Sequence, residues 1–243
     1  MTGLLILGGT TEARLLCEAV ANWRIKTTVS LAGVTQDAPA LPVATRVGGF
    51  GGVDGLVAWL RDNRTRCVID ATHPFAAQMP WHACHACADA DVRRLRVLRP
   101  AFPRNENVGK TSTLAQALEQ VPHGSRVLAT SGRKDIEAFS LRRDLLVFLR
   151  TIEPVADLPA HVTPLLMRPP FSGEAERTLM RQHRIDVLIA KDSGGVTAPK
   201  LAVAEALNLK TILLERPLQP AGPTVQTVEQ AVAWLWHVVG IAV

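Results

Sequence analysis

Short apolar runs alternate with longer stretches of helical periodicity along most of the chain. In the first half, the runs at 4–7, 28–31, 44–47, 67–71 and 95–98 predict strands, and the stretches at 11–22, 53–63 and 76–88 predict helices between them. The second half repeats the plan, with strands at 126–130, 145–149, 164–167, 186–190 and 211–214. Its helices are expected at 113–119, 174–183, 198–207 and 228–238. Regular alternation of β and α elements implies parallel sheets with helices on both faces. The stretch from Arg99 to Asn107, with Pro100 and Pro103, breaks the pattern near mid-chain and marks a seam. The expected architecture is therefore α/β, with two Rossmann-like parallel-sheet domains: a dinucleotide-binding domain at 1–103 and a second at 104–243. Facing each other, they would leave a central cleft at the carboxyl ends of their strands, where open α/β sheets bind ligands.

Composition narrows the partners. Among the 243 residues, 47% are apolar and 20% charged, which suits a globular chain with a real core. No apolar run reaches the roughly 18–20 residues of a membrane span, so no membrane partner is expected. Leu4-Leu5-Ile6-Leu7 follows the start without a basic segment or cleavage site, which reads as a first strand and a cytoplasmic protein. The net charge of +5 points to an anionic partner. The cations are scattered, aromatics make up 5% and tyrosine is absent, which argues against nucleic acid and for a polyanionic small molecule.

The first motif is Gly8-Gly9-Thr10-Thr11-Glu12-Ala13, between a buried strand and a helix. Glycines permit a tight turn there, and the N–H groups of a helix start receive phosphate. Thr10 and Ala13 replace two of the three usual glycines. Thr10 is expected to offer its hydroxyl to a pyrophosphate, or else it or Thr11 simply caps the helix. At the end of the second strand, Ser30-Leu31-Ala32-Gly33 lacks the acidic residue that binds the ribose of NAD, which favours NADP. Ser30 alone cannot hold a 2′-phosphate, and the cation is left open between Arg14 and a residue of the other domain. Gly48-Gly49-Phe50-Gly51-Gly52 reads equally as an anion-binding nest or as a close backbone crossing.

Asp70-Ala71-Thr72-His73-Pro74-Phe75-Ala76 falls where a strand ends and a helix is expected to begin at Ala76. His73 can donate a proton near neutral pH; otherwise Thr72 caps the helix and His73 packs. In the second half, Ala129-Thr130-Ser131-Gly132-Arg133-Lys134 and Ala190-Lys191-Asp192-Ser193-Gly194-Gly195, with Lys200 soon after, are cationic strand ends suited to carboxylates or phosphates. His82, Cys84, His85 and Cys87 fall on two sides of one helix and cannot converge on an ion, so no metal site is expected.

Taken in order, these motifs, with Arg46-Val47 before the glycine cluster and Glu215-Arg216-Pro217 near the end, resemble the precorrin-6A reductase family of cobalamin biosynthesis. The resemblance implies reduction of the precorrin-6A macrocycle to precorrin-6B, with hydride from NADPH and a proton. It implies that Gly8, Gly9, Thr10, Thr11 and Glu12 position the dinucleotide, with Ser30 and Ala32 toward its adenosine end and Thr72 and His73 near the nicotinamide. Ser131, Gly132, Arg133, Lys191 and Ser193 would receive substrate carboxylates. His73 is the first candidate proton donor and Lys191 the second, with solvent as a third. Hand-over to neighbouring pathway enzymes is a further implied partnership. A cobalt-loaded substrate and a non-catalytic NADP-binding protein stand as alternatives.

Overall fold

The computed structural model describes residues 3–33, 40–103, 107–132, 136–168, 170–195 and 198–240. They fold as two compact units, one made of Met1–Pro100 and Pro217–Val243, the other of Ala101–Arg216. None of the described helices is long and apolar enough to cross a membrane.

The first unit is built on β1 (Gly3–Leu7), β2 (Lys26–Leu31), β3 (Ala44–Val47), β4 (Thr65–Asp70) and β5 (Arg93–Val97), with α1 (Thr11–Val20), α2 (Gly52–Asp62) and α3 (Met79–Asp89) between them. The second contains β6 (Val108–Thr111), β7 (Arg126–Thr130), β8 (Leu146–Thr151), β9 (Val162–Leu166), β10 (Val187–Lys191) and β11 (Lys210–Leu214). Its helices are α4 (Leu114–Glu119), α5 (Gly173–Gln182) and α6 (Pro199–Ala206), with a 3-10 turn at Ile136–Leu141. The short β12 (Thr224–Val225) and α7 (Val228–Val239) then return to the first unit.

Both sheets are parallel and six-stranded, in the orders β12-β5-β4-β1-β2-β3 and β6-β11-β10-β7-β8-β9. Each is the 3-2-1-4-5-6 order of a doubly wound sheet, with its reversal between β1 and β4 in one and between β7 and β10 in the other. The sixth place of each sheet is filled by exchange. β6 follows β5 in the chain but pairs with β11, whereas β12 follows β11 but pairs with β5.

The exchange corrects the expected domains. The first crossing, at Pro100/Ala101, lies close to the expected 103/104 seam, but residues 217–243 belong with the first unit rather than the second. Physically, α7 has a ready partner there: Ala231 and Leu235 are fully buried in the core formed by Leu4, Ile6, Leu16, Val29 and Ile69. A second layer on the opposite face of the same sheet gathers Leu5, Leu7, Leu56, Leu60 and Val68 with Ala83 and Ala86 of α3. The central strands are thus apolar on both faces, as parallel strands covered by helices must be.

Candidate functional site

Ligands of doubly wound sheets bind where the strand order reverses, at the carboxyl ends of the two strands that flank the reversal. In the first unit these ends lead into Gly8–Thr10 and Ala71–His73. Gly9 has φ of +106°, and the space its side chain would fill is open. Gly8 is constrained differently, because a Cβ there would press on Leu31 and Val29 at 3.0 Å. The turn therefore presents bare backbone and leads directly into the N-terminus of α1, whose free N–H groups suit an anion.

Thr10 fulfils the capping alternative. Its hydroxyl donates to the Ala71 carbonyl at 2.7 Å and accepts the Ala13 N–H at 3.2 Å. It is the N-cap of α1 and ties the first turn to the end of β4, so its hydroxyl proton is not available to a pyrophosphate. Thr11 is exposed at the helix start. Both Glu12 oxygens accept Arg99 Nη1, at 2.8 and 2.9 Å. Burial raises the Glu12 carboxyl, but the Arg99 hydrogen bond, a backbone N–H, the Arg99 charge and Thr10 together hold the group below its ordinary value.

Thr72 is likewise engaged within the protein. Its hydroxyl donates to Asp70 Oδ1 at 2.7 Å and accepts Arg96 Nη1 at 3.2 Å, while its N–H also reaches Asp70 Oδ1. Asp70 and Arg96, 0% and 1% exposed, form a direct ion pair beneath it. Thr72 is a buried member of this network. The following helix begins at Met79, with Pro80 in its first turn, not at Ala76. His73 consequently lies in an irregular connection. Its Nδ1 accepts the Phe75 N–H at 3.1 Å, which leaves the proton of a neutral ring on Nε2.

At the end of β2, the register sets Ser30 beside Arg46 of β3. Arg46 Nη1 donates to Ser30 Oγ at 2.9 Å and to the Gly48 carbonyl at 2.8 Å, and Nη2 donates to the Gly49 carbonyl at 3.0 Å. The guanidinium also lies 3.8 Å from the centre of the Phe50 ring. Three of its five N–H donors are thus used, and the half-buried head is held at the strand end where a cofactor ribose would lie. Arg14, the cation weighed from sequence, instead pairs with Glu18 on the exposed face of α1. Ala32 follows β2 and is exposed. The nearby glycines are explained by conformation, since Gly48, Gly51 and Gly52 all have positive φ and open space around them. A close approach does occur three residues later: a Cβ at Gly55 would lie 1.8 Å from the Phe50 carbonyl.

In the second unit the reversal brings together the ends of β7 and β10. Ser131 is 3% exposed, and its hydroxyl has no hydrogen-bond partner. Gly132, at φ of +86°, turns its open side to Lys191, whose Nζ would stand 3.3 Å from a Cβ there. Asp192 is structural: Oδ1 accepts the Phe102 N–H at 2.8 Å, Oδ2 accepts Lys110 Nζ at 2.5 Å, and its carbonyl accepts Arg216 Nε at 2.8 Å. It thereby clasps both ends of the segment that makes up the second unit. Ser193 turns its N–H back to the Lys191 carbonyl. Arg133 lies outside the described residues. His82, Cys84, His85 and Cys87 all lie on α3. There Cys87 is buried among apolar side chains, and burial pushes its thiol up to about 12.

Sequence reasoning missed Arg46 as a site residue. Its signal was a cation at a strand end two residues before the glycine cluster, but only the β2–β3 register shows that it faces Ser30.

A family model described as precorrin-6x reductase CbiJ/CobK matches residues 3–236. A precorrin-6A reductase of Rhodococcus erythropolis is 43% identical, over 97% of this chain and 98% of that protein. One from Mycobacterium tuberculosis is 38% identical, over 97% and 98%. A cobalt-precorrin-6A reductase of Salmonella typhimurium is 31% identical, over 88% and 87%. The solved structure of CobK precorrin-6A reductase aligns with a TM-score of 0.89 at 36% identity, covering 98% of this chain and 97% of that one.

Proposed function

The chain belongs to the precorrin-6x reductase family, and from that premise we propose that it reduces precorrin-6A to precorrin-6B with NADPH. The Arg46–Ser30 pair carries the cofactor half of this reading. A fixed guanidinium beside a serine, with no carboxylate in the 26–33 stretch, suits a 2′-phosphate and leaves a bare ribose without its usual acidic partner.

The residues fit a dinucleotide. Gly8 and Gly9 let the backbone approach the pyrophosphate, and the N–H groups at the start of α1, near Thr11, face its charge. Thr10 and Glu12 hold that turn in place through Ala71 and Arg99. Thr72 acts through the Asp70–Arg96 pair to set the course of the backbone into His73.

When bound, NADPH supplies a hydride to a ring carbon of the macrocycle. His73 supplies the matching proton from Nε2 as an imidazolium, formed when Nδ1 takes a solvent proton and releases the Phe75 N–H, so the product gains two hydrogens and the ring returns to its neutral form. Lys191 is the second candidate for that proton. Ser131, Gly132, Lys191 and Ser193, with Arg133, receive substrate carboxylates. Reduction of this kind depends on holding donor and acceptor carbons together with water excluded, so most of these residues position rather than react.

The higher identities are to proteins named for the metal-free substrate, which favours precorrin-6A over its cobalt form. The test is to incubate the protein with precorrin-6A and NADPH and follow cofactor absorbance and product mass. A product heavier by two hydrogens, with equal loss of NADPH, is expected. No such product, with both ligands shown to bind, refutes the assignment.

A further inference from the structure

We propose that the first unit holds a second ligand site, at the opposite end of its sheet from the glycine turn, where Arg94 receives the carboxylate of a small organic anion with an apolar body. The site lies within one unit and stands independently of the cofactor and substrate assignments.

The strand exchange leaves room for it. β12 is two residues long and pairs with Arg96 and Val97, so among the described residues no paired strand flanks the start of β5 at Arg93 and Arg94. The helices that cover the two faces, α3 and α7, border an open sheet edge there. A cavity of about 500 Å³ enters between them, lined by Cys84 and Cys87 of α3, Trp234 and Val238 of α7, and Arg94 with Gly222. That volume falls within the range of small-molecule sites, roughly 300–1,000 Å³.

Strand alternation puts Arg94 and Arg96 on the same face of β5. Arg96 meets Asp70, whereas Arg94, toward the amino end, has no ion-pair partner among the described residues. Arg94 is 9% exposed. Its Nη2 donates to the Ala221 carbonyl at 3.0 Å, but the buried Nη1 has no hydrogen-bond partner. Gly222 makes room for the guanidinium: its φ is +146°, and a Cβ there would stand 2.7 Å from Nη2. No acidic side chain lines the cavity among the described residues, and Arg93 adds a second cation. Burial pushes the Cys87 thiol up to about 12, so it stays neutral and offers no countercharge. A buried cation in this state is unfavourable, and a carboxylate would answer both its charge and the unused donors of Nη1. The thiols, Val238 and the Trp234 ring suit an aliphatic or aromatic body rather than a polyanion.

The probe is 4-phenylbutyrate, compared with its neutral amide, each titrated calorimetrically into the full chain at pH 7. The acid should bind at least about tenfold more tightly than the amide. Because Cys84 lines the cavity, the acid at about ten times its Kd should slow iodoacetamide labelling of that thiol about tenfold, as peptide mass mapping can follow. Arg94→Met removes a buried, unpaired charge, so it should fold at least as well as the parent and lose the preference for acid over amide. Arg94→Lys should keep part of that preference. Ala88→Trp, at an exposed position of α3 on the cavity wall, should block binding of both compounds with little change in thermal unfolding. An acid that binds no better than its amide, leaves Cys84 labelling unchanged, or binds Arg94→Met as tightly as the parent overturns the site, whether or not the protein reduces precorrin-6A.

Discussion

The carboxylate of Asp70 and the guanidinium of Arg96 meet on adjacent strands at the carboxyl end of the first sheet, both fully enclosed. The parallel register pairs the two residues directly, and Thr72 closes the network from above. Arg96 Nε and Nη2 have no partners, so the pair is not an optimised source of stability. Its evident consequence is positional, because it fixes the backbone that runs from β4 into His73.

Removing one member of such a pair strands a charge in the core. Arg96→Met should therefore destabilise the protein by roughly 3–5 kcal/mol, seen as a lower urea midpoint at unchanged slope. The double variant Asp70→Asn/Arg96→Met should recover much of that loss, because no charge is left buried. If the double variant is as unstable as the sum of the singles, the ion pair is not the source of the effect.

Arg46 gives a prediction about cofactor choice. A charge-assisted bond contributes about 1.5–3 kcal/mol, and tenfold in affinity corresponds to about 1.4 kcal/mol. Arg46→Ala should thus raise the Kd for NADPH by about 10- to 100-fold and change that for NADH by less than about threefold. Equal weakening of both cofactors would place Arg46 in the support of the strand end alone, through Gly48 and Gly49.

Much of this arrangement was legible in the chain. The ten strands and seven helices expected from periodicity all occur; burial on both faces of a parallel sheet demands continuous apolar runs in the central strands, whereas β3 and β9 stand at sheet edges and are largely exposed. The two exchanged strands were not legible for the same reason. Val108-Gly109-Lys110-Thr111 and Thr224-Val225 are short edge strands without such a run, and their place is set by pairing with β11 and β5. Turn chemistry pointed to the loops at the strand-order reversals but not to the partners of their side chains. Thr10 and Thr72 stand where a ligand-binding hydroxyl is expected, yet each is engaged by a group far away in sequence, Ala71 for one and Arg96 for the other. Lys200 was legible as a cation shortly after the Lys191 strand end, but its contact with Thr130 depends on where α6 packs.

The turn itself separates capping from binding. Thr10→Ala removes an N-cap and should cost about 1 kcal/mol of stability with a small change in NADPH affinity. Gly9→Val meets no steric obstacle but forces a β-branched residue to φ of +106°. It should weaken NADPH binding far more than Thr10→Ala does, with strain of about 1–3 kcal/mol also visible in thermal unfolding. Comparable cofactor affinity in the two variants would show that the backbone at Gly9 does not approach the dinucleotide.

The cysteines should differ sharply in reactivity. Burial pushes the Cys17 thiol up to about 11 and those of Cys67 and Cys87 up to about 12, so at pH 8 only about a thousandth of the first is thiolate, and less of the others. Cys84, on the same helix as Cys87, is only partly buried. Iodoacetamide at pH 8 should label Cys84 first in the native protein, and the other three only after unfolding, as peptide mass mapping can resolve. Early labelling of Cys67 would contradict the packing of β4.

His73 is the most direct test of the chemistry. Its Nδ1 accepts the Phe75 N–H in the neutral ring, so donation from Nε2 requires that Nδ1 first take a solvent proton and release that contact. Proton transfer by a positioned side chain ordinarily contributes about 10²–10⁴ in rate. His73→Ala should lower kcat by at least about 100-fold while changing the Kd for NADPH less than about threefold. His73→Gln keeps a polar side chain of similar reach but cannot donate as an acid, so it should be equally slow. A solvent deuterium effect on kcat should be present in the parent and altered in both variants. Full activity in His73→Gln would leave hydrogen bonding as the role of this residue and move the search for the proton to Lys191.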